Sequence, residues 1–223
     1  MAGPDTTLGD MANRIADELG ARTDLLAPST GMNTDPIHLA IFDAISQWDQ
    51  SRYWFNEYRV GNAFTTKIGQ EFYDLNDWPD IATIHHIDKL SVMISGNRYF
   101  MSPRTEEYME DISINPSWTG QPQDYSYYNL RLRFYPIPNG IYPVNVLGTK
   151  QFPPLVSDSD SNVWTTTAEP LIRATAKLYL YRDTLQDDER AQAMAQAMNF
   201  ENSSIRSETQ QRVPVTRFKP TQW

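Results

Sequence analysis

Apolar residues recur at the spacing of an α-helix near the start of the chain. The first stripe predicts a helix that begins with a capping box between Thr7 and Asp10 and ends at Gly20. A second helix is predicted behind Asp35 and Pro36, an N-cap followed by proline at the first helical position. The apolar positions of the two stripes are Leu8, Met11, Ile15, Leu19, Ile37, Ile41, Ala44, Ile45 and Trp48.

Beyond the second helix the spacing changes to alternation, which is typical of half-buried strands. Residues 64–73 are interpreted as a hairpin around a glycine-containing loop. Residues 90–94 predict a strand that turns at residues 95–97 into a further strand. A short helix is predicted to begin at Ser102-Pro103.

Two more strands are predicted around the turn sequence Pro138-Asn139-Gly140. Residues 130–135 alternate between apolar and polar side chains, and residues 142–146 do the same after the turn. Together with the preceding segments, these strands predict that residues 56–152 form an antiparallel β unit.

Helical spacing returns after the polar segment 157–162. Thr166 and Glu169 predict a second capping box, and Asp187 predicts the N-cap of a last helix. Neither pair of helices can bury its apolar stripe alone, so the two ends of the chain are expected to pack together. The apolar positions of the later helices are Leu171, Ala174, Leu178, Leu185, Ala191, Met194, Ala195 and Met198.

The predicted fold class is α+β: a helical bundle formed by the N- and C-terminal helices, with an inserted antiparallel β domain and an extended C-terminal arm. The predicted boundaries are 1–55 for the N-terminal helices, 56–156 for the β-rich domain, 157–211 for the C-terminal helices and 212–223 for the arm.

Composition narrows the function classes. The 223 residues include no cysteine, which excludes disulfides, thiol nucleophiles and cysteine-ligated zinc. The sequence has neither the long apolar run of a membrane span nor the layout of a signal peptide. A formal net charge of −9 argues against tight binding to nucleic acid phosphates, and suits a surface past which DNA slides.

The arm differs from the rest of this acidic chain. From Arg206 onward there are four basic side chains and one acidic one. Two prolines reduce the entropy that docking would cost, and two aromatic side chains favour a partner surface. We therefore predict an interface segment that adds as a strand or inserts its aromatic rings into a groove, with a terminus without fixed structure as the alternative. Its predicted interface residues are Val213, Arg217, Phe218, Lys219 and Trp223.

Two groups of residues raise the question of a metal site. His85 and His86 are neighbours in a predicted strand, so they point to opposite faces and cannot readily chelate one metal ion. A second group matches four ligand positions of a calcium loop, but Val163 stands where the loop needs glycine. A turn followed by a helix start is the alternative interpretation. The candidate calcium ligands are Asp158, Asp160, Asn162 and Glu169.

Charged clusters elsewhere allow two further interpretations. Arg131 and Arg133 share one face of a predicted strand. They suggest either a stacking platform for single-stranded nucleic acid or, as an acidic chain favours, an exposed face paired with carboxylates. A group of acidic residues predicts a solvated helix face rather than a catalytic pair, and comprises Glu106, Glu107, Glu110 and Asp111. We expect no catalytic, cofactor or metal site.

Several segments resemble those of head-to-tail adaptor proteins of tailed bacteriophages, most closely the adaptors of short-tailed phages. The related connector or stopper of long-tailed phages is the alternative. The likeness extends over nearly the whole chain, which gives it more weight than any single motif. The similar segments are Leu8–Leu19, Thr119–Tyr125, Leu130–Pro138, Asp158–Lys177 and Phe218–Thr221.

The resemblance implies a structural virion protein without an active site. Adaptors of this kind form homo-oligomeric rings of about twelve copies between the portal and the tail nozzle or tail tube, and DNA passes through the ring without sequence-specific binding. The implied location is the neck of the virion, after assembly in the host cytoplasm, with no membrane involved. A receptor- or glycan-binding tail component that uses the aromatic β domain, or a virion enzyme such as a lysin, remains an alternative.

Overall fold

The computed structural model describes residues 6–26, 35–114 and 118–212. Two compact units form: residues 56–151 make one, and residues 1–55 with 152–223 make the other. The predicted α+β class is confirmed. The predicted interface residues of the arm lie outside the described residues; they are Val213, Arg217, Phe218, Lys219 and Trp223.

The helices and strands are numbered here in chain order. The α-helices are α1 (Leu8–Glu18), α2 (Pro36–Asp49), α3 (Glu106–Ile112), α4 (Val163–Thr166), α5 (Glu169–Tyr179) and α6 (Asp188–Arg212). The strands are β1 (Glu57–Thr65), β2 (Phe72–Tyr73), β3 (Ile84–Ile94), β4 (Asn97–Pro103), β5 (Thr119–Gly120), β6 (Asp124–Tyr128), β7 (Arg131–Tyr135), β8 (Ile137–Pro138) and β9 (Pro143–Lys150).

The first two helices begin where their caps predict. Thr7 Oγ1 accepts from the Asp10 backbone N–H at 3.2 Å, and Asp10 Oδ2 accepts from the Thr7 N–H at the same distance. Asp35 Oδ1 accepts from the His38 N–H at 2.9 Å, with Pro36 at the first helical position. Both helix starts are therefore confirmed, because short-range hydrogen bonds satisfy the free N–H groups of each first turn.

The capping prediction for the later helices is partly wrong. The capping box lies one turn earlier than predicted, between Asn162 and Thr165 at the start of α4, and α5 begins without a side-chain cap. At α6 the prediction is confirmed, since Asp187 Oδ1 accepts from the Arg190 N–H at 3.0 Å. This last helix runs to Arg212, well past the predicted apolar stripe, and is polar around most of its surface.

Helices from both ends of the chain share one hydrophobic core. Trp164 is buried in this core and meets the rings of Tyr53, Phe55 and Phe152 edge-on. Each such aromatic side chain contributes about 2–3 kcal/mol on burial. The buried Trp48 Nε1 donates to Thr175 Oγ1 at 2.9 Å, so α2 and α5 are joined by a satisfied polar contact as well.

The other unit is built on a seven-stranded sheet with the order β1-β9-β3-β4-β6-β7-β2. The predicted antiparallel arrangement is wrong at two places, because β4 pairs with β6 in parallel and so does β5 with β8. The core lies on one face of the sheet, where Trp78, Tyr73, Phe134 and Leu90 are fully buried.

The predicted hairpin over residues 64–73 is wrong. Strand β1 pairs with β9, whereas β2 pairs with β7. The intervening loop is closed by a side chain instead: the Tyr73 hydroxyl accepts from the Lys67 N–H at 3.0 Å and donates to the Gln70 carbonyl at 3.0 Å. Alternation along the sequence therefore identified strands but not their partners.

The turn between β3 and β4 is confirmed. Ser95 and Gly96 both have positive φ, 50° and 81°, which is the backbone of a tight hairpin turn. The helix predicted to begin at Ser102-Pro103 starts later, because these residues end β4 and Thr105 caps α3. No helix among the described residues has the length and hydropathy needed to cross a membrane.

Candidate assembly surfaces

The histidine pair of the sequence lies on the surface. His85 and His86 are both exposed; the first lies 3.3 Å from the Gln151 amide nitrogen and the second 3.7 Å from an Asp88 carboxylate oxygen. Within residues 6–26, 35–114 and 118–212, no three His, Asp or Glu side chains are grouped as a metal ion would require.

In the calcium-like loop, the carboxylate of Asp160 accepts hydrogen bonds from other residues of the same loop. Asp160 accepts from the Val156 N–H at 2.7 Å, the Ser157 N–H at 2.8 Å and the Ser157 hydroxyl at 2.7 Å. These bonds to the Ser157 side chain and the two N–H groups lower the pKa of Asp160. The carboxylate shapes a turn that leads into α4.

The same loop also caps the first helix. The Gly9 N–H donates to the Asp158 carbonyl at 3.0 Å, and the Leu8 N–H donates to the Asp160 carbonyl at 2.9 Å. A Cβ atom on Gly9 would lie 2.9 Å from the Asp158 Cβ, so the close approach requires glycine. His38 adds a third contact, 2.6 Å from Asp35 and 3.2 Å from Asp158. Two of the adaptor-like segments thus meet as one structural contact.

The two arginines of β7 have different environments. Arg133 was expected on an exposed face, but its side chain is only 6% exposed. Its guanidinium donates to Glu71 at 2.5 Å, Glu106 at 2.9 Å, Glu110 at 2.6 Å and the Ser113 hydroxyl at 2.9 Å. The expected pairing with carboxylates is confirmed for Arg133, whereas the expected exposure is wrong.

The acidic helix face is corrected by the same contacts. Glu106 and Glu110 of α3 bind Arg133 and are therefore not part of a purely solvated face. Burial alone would lower the pKa of Arg133, but its hydrogen bonds to Glu71 and Glu110 outweigh burial and raise that pKa. Sequence reasoning missed Glu71 because it lies 62 positions from Arg133.

A shallow cavity of about 220 Å³ lies beside this ion cluster. Phe72 separates the two arginines there, with the guanidinium carbons of Arg131 and Arg133 each 5.3 Å from its ring centre. A stacking platform would need both arginines and the ring to be free. Since Arg133 is paired with carboxylates, it is not free to take part in such a platform.

Large apolar side chains remain exposed in both units. In the β unit Ile68 is 68% and Ile141 is 69% exposed, while Phe200 of α6 is 72% exposed. The Gly69 N–H donates to the Pro138 carbonyl, so the loops that carry the two isoleucines meet at one end of the sheet. Exposed apolar groups of this kind are typical of surfaces that bind other proteins.

The exposed apolar side chains are therefore candidate surfaces for contacts with other chains. The family model for the SU10 adaptor protein matches residues 6–218, and the chain belongs to that family. The resemblance to bacteriophage head-to-tail adaptors is thereby confirmed. Comparison with the curated proteins gives no match.

Proposed function

We propose that copies of this protein form a ring that joins the portal to the tail of the virion. The observation that carries the proposal is the match to the adaptor family over residues 6–218, which includes both structural units. Interaction with portal and tail components follows from the adaptor role. The likeness to short-tailed phages supports about twelve copies and a tail nozzle as the partner below the ring.

The helical unit is proposed to act as a bundle that stacks between subunits and frames the channel. Helix α6 supports this role, because its 25 residues extend about 38 Å and bury only Ala191 and Ile205. A helix of this length can span a subunit boundary. Its mostly polar surface does not need to be buried in the core of its own subunit. The β unit is proposed to contact the tail components, where its exposed isoleucines would be covered.

The arm is proposed to anchor each copy to a neighbour or to the portal. It follows directly after α6, which ends at Arg212. Phe218 and Trp223 would insert into the partner, while Arg217 and Lys219 would meet its acidic groups. An arm that reaches the next copy suits the head-to-tail contacts of a closed ring.

The channel is proposed to pass DNA without binding a particular sequence. The net charge of −9 supports this role, because an acidic wall repels phosphates and leaves DNA free to move. In this proposal the protein is assembled in the host cytoplasm and ends at the neck of the virion.

The test compares the full chain with a variant that lacks Val213 to Trp223. Both are mixed with purified portal and imaged by electron microscopy. We expect the full chain to add a ring to the portal and the truncated chain to remain unbound, with unchanged helix content by circular dichroism. Normal ring formation by the truncated chain would refute the role of the arm. A monomer that binds glycans and never joins the portal would instead support the receptor-binding alternative.

A further inference from the structure

A basic groove crosses four strands of the β unit. The register of the sheet places Arg59 and Lys89 on either side of Leu147, and Phe100 beside Ser91. Directly paired residues project from the same face of a sheet, so these side chains surround one depression of about 460 Å³. The residues that line it include the small Gly61 and Ser91.

The cations of this groove have no anionic partner in the described part of the chain. Arg59, Lys89 and Arg98 line it, and no carboxylate lies among the described residues that do so. Within the described part of the chain these three have no ion pair, whereas the other lysines and arginines have an ion pair or another polar or ring contact. Among the described residues of this acidic chain, the unpaired positive charge thus lies on one face.

One further feature, beside the three cations, indicates what the groove binds. Phe100 is 64% exposed at the groove. An occupant would therefore supply carboxylates for the cations together with an apolar side chain for Phe100.

The chain itself carries a surface of that chemistry. Glu107 and Asp111 lie four positions apart on α3, are exposed, and have no ion pair among the described residues. Ile114 follows three positions later and is 89% exposed. Glu107 and Asp111 share one helical face, and Ile114 lies just beyond the Ser113 C-cap at which α3 ends. We call Glu107, Asp111 and Ile114 the acidic stripe.

We propose that the basic groove of one copy binds the acidic stripe of a second copy. The carboxylates of Glu107 and Asp111 would neutralise the groove cations, and Ile114 would cover Phe100. The groove and the stripe are different surfaces of one copy. When the groove of one copy binds the stripe of a second, the pair keeps one free groove and one free stripe, so further copies can add head to tail around a ring. The inference rests on the proposed function, which it deepens by naming the contact between copies.

Duplex DNA fits the groove less well. Tight binding to DNA needs many phosphate contacts, whereas this groove offers three cations on a chain with a net charge of −9. The exposed Phe100 would also remain uncovered by a phosphate backbone. A protein segment with both carboxylates and an apolar side chain satisfies both parts of the surface.

Charge reversal on each side tests the contact. The groove variant combines Arg59→Glu, Lys89→Glu and Arg98→Glu, and the stripe variant combines Glu107→Lys and Asp111→Lys. We expect each to reduce ring formation on purified portal at least tenfold, and the variant with all five changes to restore it. A control with Arg22→Glu and Arg182→Glu reverses two exposed, locally paired cations outside the groove, the stripe and α6, and should assemble normally.

Cross-linking provides a test that does not depend on charge. Because the natural chain has no cysteine, Lys89→Cys with Asp111→Cys can form disulfides only at the two introduced sites. We expect a ladder of oligomers on portal-bound protein after oxidation, and at most dimers from either single variant. Absence of the ladder on an assembled ring would overturn the contact.

The outcomes separate this inference from the proposed function. If the wild-type protein forms no ring on the portal, the proposed function fails. If the wild type forms a ring and the groove variant does so equally well, only the groove contact is refuted. Loss of duplex DNA binding by the groove variant, with its ring intact, would likewise refute the contact and assign the groove to nucleic acid.

Discussion

Two basic sites on the same sheet differ in how their charge is satisfied. Around Arg133, three glutamates and a serine hydroxyl surround one buried guanidinium. In the basic groove, three cations line an open surface without a carboxylate among the described lining residues. The Arg133 site has three carboxylates for one cation, whereas the basic groove has no carboxylate among its described lining residues. Buried Arg133 therefore serves the fold, whereas the groove offers charge to another molecule.

The largest effect is expected from removing the buried cation. Arg133→Leu would leave Glu71, Glu106 and Glu110 close together without a positive partner. We expect the free energy of unfolding to fall by about 3 kcal/mol, as measured by urea denaturation. Arg131→Leu is the matched control on the same strand and should change stability by about 0.5 kcal/mol or less. Equal effects of the two variants would remove the distinction between them.

A smaller effect is expected at Asp160, a carboxylate satisfied by its own loop rather than by a cation. Asp160→Ala removes three hydrogen bonds and should lower the Tm at pH 7. The pKa of Asp160 in the folded protein is held below its ordinary 3.8. The ionised carboxylate therefore stabilises the folded state fully above that pH, and this stabilisation is lost as the pH falls through the lower folded pKa.

The difference in Tm between wild type and Asp160→Ala should therefore shrink below about pH 3.8. Calorimetry from pH 7 down to pH 2.5 measures this change. Asp158→Ala is a control in the same loop, since its carboxylate contacts only His38 among the described side chains. A Tm difference that stays constant over this range would argue against the hydrogen-bonded anion as the cause.

The smallest effect on stability is expected in the groove. Lys89→Glu removes one of three unpaired cations and should stabilise the isolated protein by about 0.3–0.5 kcal/mol, because it relieves repulsion at an exposed site. The same change should weaken assembly on the portal. Urea denaturation and electron microscopy measure the two effects. A loss of stability of about 1 kcal/mol or more would show that Lys89 serves the fold after all.

Local signals in the sequence were reliable where a few neighbouring residues decide the structure. The capping box of Thr7 and Asp10, the Asp35 cap and the Asp187 cap all form within one helical turn. The Ser95-Gly96 turn depends on backbone preferences of two adjacent residues. The misplaced cap at Thr166 shows the limit, because Asn162 caps the short helix α4, of which Thr166 is the last residue, and α5 begins at Glu169 without a side-chain cap.

Strand partners were less accessible to sequence reasoning. Alternation indicated that residues 64–65 and 72–73 are extended, but it predicted a hairpin where β1 and β2 pair with different strands. Period-two patterning records which face of a strand is buried and carries no information about which strand lies beside it. The parallel pairing of β4 with β6 escaped prediction for the same reason.

The sequence by itself determined the α+β class, the starts of three helices and the adaptor resemblance, since these depend on neighbouring residues or on the order of motifs along the chain. The tertiary structure decided which cations are paired with carboxylates and which have no ion pair among the described residues. In the sequence all three are cations in strands with alternating apolar and polar residues: Arg131, Arg133 and Lys89. In the folded protein Arg131 stacks on the Phe72 ring, Arg133 is buried among carboxylates and Lys89 lines an open groove. Pairing with residues tens of positions away sets the electrostatic role of each, and only the folded sheet brings those residues together.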